Sequence, residues 1–186
     1  MVRLPGLYAA LARVLVTALG PRSRVRQWLL RRSARSGWAA GARSDLELML
    51  VRYAPDVVSE WPDDLVALGM PPRVQGRREY VAAWFEFTSA WSDLRAPQLF
   101  VIDLGDRALV FGHIEGRGAA SGARVGLDIA QLLELRHGLV ARERFFTDWA
   151  EGMRRAGIDA GVLAEIEALG VGDVMEISAA VLAKPG

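Results

Sequence analysis

The stretch 123-ARVGLDIAQLLELRHGLVARERFFTDWAEGMRRAGI-158 decides the fold. Within it Leu127, Ile129, Gln131, Leu133 and Leu135 alternate with Asp128, Ala130, Leu132, Glu134 and Arg136, the two-residue period of a strand. His137-Gly138 is a tight-turn pair, with the glycine free to take a positive φ. A return strand then runs from Leu139 to Phe146. Asp148 opens a helix, Glu151 stands three residues on as in a capping box, and Ala156-Gly157 closes it. A long hairpin running straight into a capped helix is the unit around which the other elements arrange themselves.

Working outward, Leu94–Leu104 and Arg107–Arg117 predict a second hairpin around Gly105-Asp106. The link from Gly116 to Gly122 is rich in glycine. It lacks a Lys-Ser/Thr ending and does not follow a strand–loop–helix order, so it reads as a hairpin loop and not as a nucleotide site. Gly76 to Trp91 predicts a helix whose Tyr80, Trp84, Phe87 and Trp91 stack on one face. That stripe is core packed against a sheet, and Trp84 or Phe87 can line a cavity at the same time, since small-molecule pockets are mostly apolar and aromatic. Before it, Arg43–Tyr53 reads as a short helix with Ser44 as N-cap, Val57–Trp61 as a short strand, and residues 62–75 as a loop rimming a pocket. Strands joined by tight hairpins give an antiparallel sheet, and helices grouped ahead of it give an α+β architecture. A curved sheet over helices encloses a cone-shaped space.

The 186 residues are 52% hydrophobic, enough for one domain with extensions. No cysteine is present, which excludes disulfides, thiolate nucleophiles and Cys-based metal sites. With only His113 and His137 available, no metal site is expected, and no cofactor either. Arginine supplies all the basic charge but Lys184, a usage we associate with a bacterial source. The charge is uneven: residues 1–43 hold nine arginines and no acid, while all 22 acids lie beyond them.

That basic arm sets the domain boundaries. Leu4, Leu7, Leu11, Val14, Leu15 and Leu19 approach helical spacing up to the break at Pro21, and a second basic helix runs from Val25 toward Trp38. Arg13 interrupts the apolar run, so neither a signal peptide nor a membrane span is read here. We expect an extension over 1–21, a domain over 22–158, and a helical tail over 159–186 with a short helix around Ala160–Leu169. The arm either packs its leucines on the domain or a partner, or meets an anionic membrane surface. Nucleic acid is not expected, because the folded body is acidic. The expected location is cytoplasmic, with peripheral membrane contact through the arm.

The order of DLELMLVRYAPD (45–56), Val57-Val58-Ser59-Glu60-Trp61-Pro62, IDLGDR (102–107), GRGAASGARV (116–125) and Gly138–Arg142 leading to Phe146, Asp148, Ala150 and Glu151 resembles the nuclear transport factor 2-like superfamily, in its SnoaL-like branch. The resemblance covers roughly residues 22–158 and implies a cone-shaped α+β barrel with an apolar pocket, often a homodimer through the outer sheet face. It spans isomerases, dehydratases, cyclases, epoxide hydrolases and binding domains, so the fold leaves the function open.

Steroid isomerases of this fold imply a base aspartate just before Pro62, where this chain has Trp61. Neighbouring Glu60 faces the other way on a strand. Their oxyanion-binding tyrosine would fall near Gly37 or Trp38, and their protonated acid near Ala130 or Gln131. The epoxide hydrolase set would need a second acid beside Asp128 and Arg124. SnoaL-type cyclases imply an aspartate and a histidine in the cavity, for which Asp128 and His113 are the candidates on sequential strands. The alternative for that pair is an outer-face position on a solvated rim. Candidate ligand-binding residues are Trp61, Trp84, Phe87, Gln131, Glu60 and Tyr53. Three functions follow as expectations. One is a pocket protein for a small apolar molecule. Another is a cyclase, isomerase or dehydratase acting on a polyketide- or terpenoid-like substrate. The last is a protein- or membrane-interaction module.

Overall fold

In the computed structural model, which describes residues 5–67, 69–159 and 161–162, six helices accompany one six-stranded sheet. The order is α1 (Pro5–Ala18), α2 (Arg24–Ala42), α3 (Leu46–Leu50), β1 (Tyr53–Glu60), α4 (Asp63–Ala67), β2 (Arg73–Gln75), α5 (Gly76–Ser89), β3 (Arg95–Asp103), β4 (Arg107–Arg117), β5 (Arg124–Arg136), β6 (Leu139–Phe146) and α6 (Trp149–Ala156). The expected C-terminal helix and tail lie, for nearly all their length, outside the described residues. No described helix is long and apolar enough to cross a membrane.

The architecture is α+β, with strand order β2-β1-β6-β5-β4-β3. The sheet is curved but stays open, with β2 and β3 as its edges. Hairpins make β3 to β6 antiparallel, as neighbours in sequence must be when joined by tight turns. β1 pairs with β6 in parallel, because β1 enters from the helices and no hairpin ties its direction to β6. The β5–β6 turn places both His137 (φ 53) and Gly138 (φ 70) in left-handed backbone, the pair of positive angles a type I′ hairpin requires.

Local chemistry sets most boundaries. Ser23 caps α2 and Asp148 caps α6, the latter accepting from Ala150 N at 2.7 Å. Glu151 does not reach back as a capping-box partner; its carboxylate pairs with Arg154 and Arg155 on the next turn. The cap of α3 is Asp45, accepting from Leu48 N at 3.1 Å, and not Ser44, whose left-handed φ of 56° points it out of the cap position. The expected 62–75 loop holds α4 and the short edge strand β2.

The sheet buries a different core on each face. On one face Leu99, Val101, Val110, Ile114, Ile129 and Phe145 pack against Trp38, Tyr80, Trp84 and Phe87 of α2 and α5. On the other, Phe100, Ile102, Leu109, Phe111, Ala130 and Phe146 pack against Met153 and Ala156 of α6, with Ile158 and Val162 beyond. The outer face on which a second copy was expected to pair thus carries α6 over its apolar part. Strand parity assigns the strand residues named here to their sides.

The arm is tied to the body at two points. Arg26 of α2 meets Asp103 at the end of β3 through two parallel bonds, Nε to Oδ2 at 2.7 Å and Nη2 to Oδ1 at 3.0 Å. Both groups are buried, and Arg26 also donates to the Val16, Leu19 and Gly105 carbonyls. One guanidinium so joins α1, α2 and the β3–β4 turn. At the β5–β6 turn Gly138 lies under α1, where a Cβ would come within 2.7 Å of the Arg13 carbonyl oxygen.

Candidate functional site

A cavity of about 320 Å³ lies between the helices and the sheet. Its apolar walls include Val16 of α1, Leu29 and Trp38 of α2, Tyr80 and Trp84 of α5, and Val101, Val110, Leu133 and Val140 of the strands. The exposed Arg13 and Arg32 border it. Set into the apolar wall are three polar residues, Tyr53, Gln131 and Glu143.

Glu143 is the chemical centre of this wall. Its side chain is fully buried, projecting from β6 on the same face as Phe145. Oε1 accepts from Gln131 Nε2 at 2.8 Å and from the Tyr53 hydroxyl at 3.3 Å, and Ser59 Oγ lies 3.3 Å from Oε2. Behind these donors stands an outer set. Trp38 Nε1 donates to Gln131 Oε1 at 2.8 Å, which fixes the amide so that its NH2 points at the carboxylate. The Tyr80 hydroxyl donates to that of Tyr53 at 2.7 Å. Burial pushes the Glu143 pKa up to about 7, against the downward pull of its hydroxyl neighbours. Burial, and then the charge of Glu143, push both tyrosines well above their usual range, so they stay protonated as donors. A carboxyl poised near neutrality in an apolar cavity is able to accept or release a proton without a large change of pH.

The candidate residues fall into three groups. Tyr53, Gln131 and Trp84 line the cavity. Trp61 and Phe87 lie in the core behind it, with Trp61 stacked on Phe145 at 4.2 Å between ring centroids. Glu60 faces away, half-buried and held by Arg142 and Arg144 at 2.6 and 2.8 Å, as the alternation of a strand requires. His113 and Asp128 do meet, Nδ1 to Oδ1 at 2.9 Å across the β4–β5 ladder. They meet on the α6 side of the sheet, opposite the cavity, with side chains 39% and 56% exposed. The ladder brings the pair together and the parity of the strands turns it outward. Sequence reasoning named none of Glu143, Tyr80, Ser59 and Trp38 as a site residue and placed Tyr80 in the aromatic core stripe. The available signal was that Glu143 alternates with Arg142 and Arg144 and therefore shares the apolar side of Phe145. No group of three or more His, Asp or Glu side chains able to hold a metal occurs among the described residues.

Residues 34–143, more than half of the chain, match the family described as SnoaL-like domain. The chain belongs to the SnoaL-like family. Its fold is that of the nuclear transport factor 2-like superfamily, and three solved structures share it. An NTF2-like protein of Burkholderia pseudomallei is 23% identical with a TM-score of 0.57, covering 67% of this chain and 94% of that one. TerC, co-crystallized with polyporic acid, is 21% identical with a TM-score of 0.56, over 66% of this chain and 94% of its own. A candidate polyketide cyclase of Xanthomonas campestris is 18% identical with a TM-score of 0.54, over 65% and 91%. At these identities the likeness is one of fold. Among curated proteins none matches this SnoaL-like chain.

Proposed function

We propose that this SnoaL-like protein binds a small, largely apolar carbonyl compound in the cavity and that Glu143 moves a proton on it, as in an isomerisation, cyclisation or dehydration. The observation that carries the reading is a fully buried carboxyl with a pKa of about 7 facing an apolar cavity. The ionised Glu143 takes a proton from the carbon next to the carbonyl, and the C–H electron pair moves into an enolate. Returning the proton at another carbon isomerises the ligand. Attack of the enolate carbon on a second carbonyl of the ligand closes a ring, with that C=O π pair moving to its oxygen, which takes the proton from Glu143. Expulsion of a β-hydroxyl by the enolate breaks the C–O bond, and the group leaves as water with that same proton. The protonated Tyr53 and Tyr80 are the neutral donors on the same wall. The co-crystallized TerC and the Xanthomonas candidate cyclase support the choice of ligand class by fold alone.

The test is exchange of α-protons for deuterium in a panel of polycyclic ketones, followed by NMR. The wild-type protein accelerates exchange, more strongly as pH rises through about 7 and the base ionises. Glu143→Gln loses about 10²–10⁴-fold of that acceleration. A second reading rests on the fact that Gln131, Tyr53 and Ser59 already occupy the carboxyl. In it Glu143 is a polar anchor of a binding protein. Ligand-induced thermal stabilisation with no exchange in the wild type would favour it over catalysis.

A further inference from the structure

The arginine-rich arm has an outward side that meets the cavity only at its border, through Arg32. Along α2 the exposed positions Arg24, Val25, Trp28, Arg32 and Arg35 recur at helical spacing and form one stripe, with Arg22 just ahead of it. Trp28 is 54% exposed, the only one of the six tryptophans in the exposed class. The Arg32 guanidinium sits over its ring at 5.6 Å from the centroid. α1 adds Leu11 and Val14, the latter 63% exposed. Four of the six large apolar side chains that are exposed among the described residues therefore lie on these two helices. Among the described residues Arg22, Arg24 and Arg35 make no ion pair. Within α2 the arginines crowd one another. Arg31, with two guanidinium nitrogens shielded from solvent and unpartnered, is disfavoured by burial and then by the charge of Arg35.

We propose that this outward side of α1 and α2 docks on an anionic lipid surface, with Val25 and Trp28 entering the headgroup boundary and the arginines meeting lipid phosphates. Interleaved arginine, tryptophan and aliphatic side chains on one helix are what such a surface recognises. Charge decides against a second copy, and the exposed apolar side chains decide against nucleic acid. A second copy would set the same arginine stripe against itself, since a two-fold interface uses one patch twice. Nucleic acid would match the charge and leave Val25, Trp28, Leu11 and Val14 without an apolar partner. The docking element is also a cavity wall, because α1 turns Ala12 and Val16 inward. The proposal does not depend on the role given to Glu143.

The full chain is sedimented with vesicles of phosphatidylcholine alone and with vesicles that also contain phosphatidylglycerol. Binding to the anionic vesicles alone, weakening with added salt, is expected. Arg24→Gln and Arg35→Gln each reduce partitioning about fivefold. Trp28 fluorescence shifts to the blue on binding and is quenched by brominated lipid, and Trp28→Phe removes both signals. Equal or absent sedimentation with the two vesicle types would overturn the proposal, as would unchanged partitioning of both arginine variants or binding to duplex DNA with none to vesicles. These side chains are exposed, so each variant should keep the wild-type thermal midpoint. If one of them unfolds, the quenching of wild-type Trp28 by brominated lipid still decides.

Discussion

At the residue scale the protein turns on one carboxyl that its surroundings both oppose and support. Burial opposes the charge of Glu143, while Gln131, Tyr53 and Ser59 point donors at it. Because the folded pKa of about 7 lies above the ordinary 4.5, the native state holds this proton more tightly than the unfolded chain does. The contribution to stability is therefore complete below about 4.5 and falls as pH rises toward 7. The loss is on the order of 3 kcal/mol across that window. Urea unfolding of the wild type at pH 5 and pH 8, set beside Glu143→Gln, should show the difference shrinking or vanishing in the variant. Tyr53→Phe removes one of the donors that hold the pKa down, so the midpoint of this dependence moves to higher pH. A midpoint that stays put would mean that the 3.3 Å contact from Tyr53 carries little weight.

At the scale of elements, the arm is joined to the end of β3 by a buried ion pair with its carbonyl contacts. Arg26 satisfies Asp103 with two bonds and places α1, α2 and the β3–β4 turn in fixed relation. Arg26→Met leaves a buried aspartate without its counter-charge and should cost about 3–5 kcal/mol. Adding Asp103→Leu should restore a large part of it, since an apolar pair removes the stranded charge. Denaturant midpoints of the single and double variants check both steps. The pairing of elements also explains the outward His113–Asp128 contact. Register puts the two residues opposite each other, and the parity that sends Ile114 and Ile129 to the cavity side sends this pair to the other.

At the scale of the whole molecule, α1 supplies part of the cavity wall through Ala12, Arg13 and Val16. Without residues 5–18 the side chains that meet Ala12 and Val16 would face water. Such a chain should bind a hydrophobic dye more strongly and show a weaker stability slope between pH 4.5 and 7, because water at Glu143 removes the main cause of its raised pKa. An unchanged slope would show that the sheet and α2 alone keep the carboxyl dry. The alternation of Leu127–Leu135, the His137-Gly138 turn and the Asp148 cap are local signals, and they determined the hairpins, α6 and the α+β class before any contact was known. The family pattern over the 45–62 and 116–151 segments was equally legible, because it resides in the order of residues along the chain. Tertiary structure alone decided that β1 joins β6 in parallel, that the sheet stays open, and that the basic arm covers the cavity. It also decided which acid matters. Alternation with Arg142 and Arg144 puts Glu143 on the side of Phe145, but only the helices packed over that face of β6 take the water away from it. Desolvation depends on what covers a residue, and that is a property of the assembled chain.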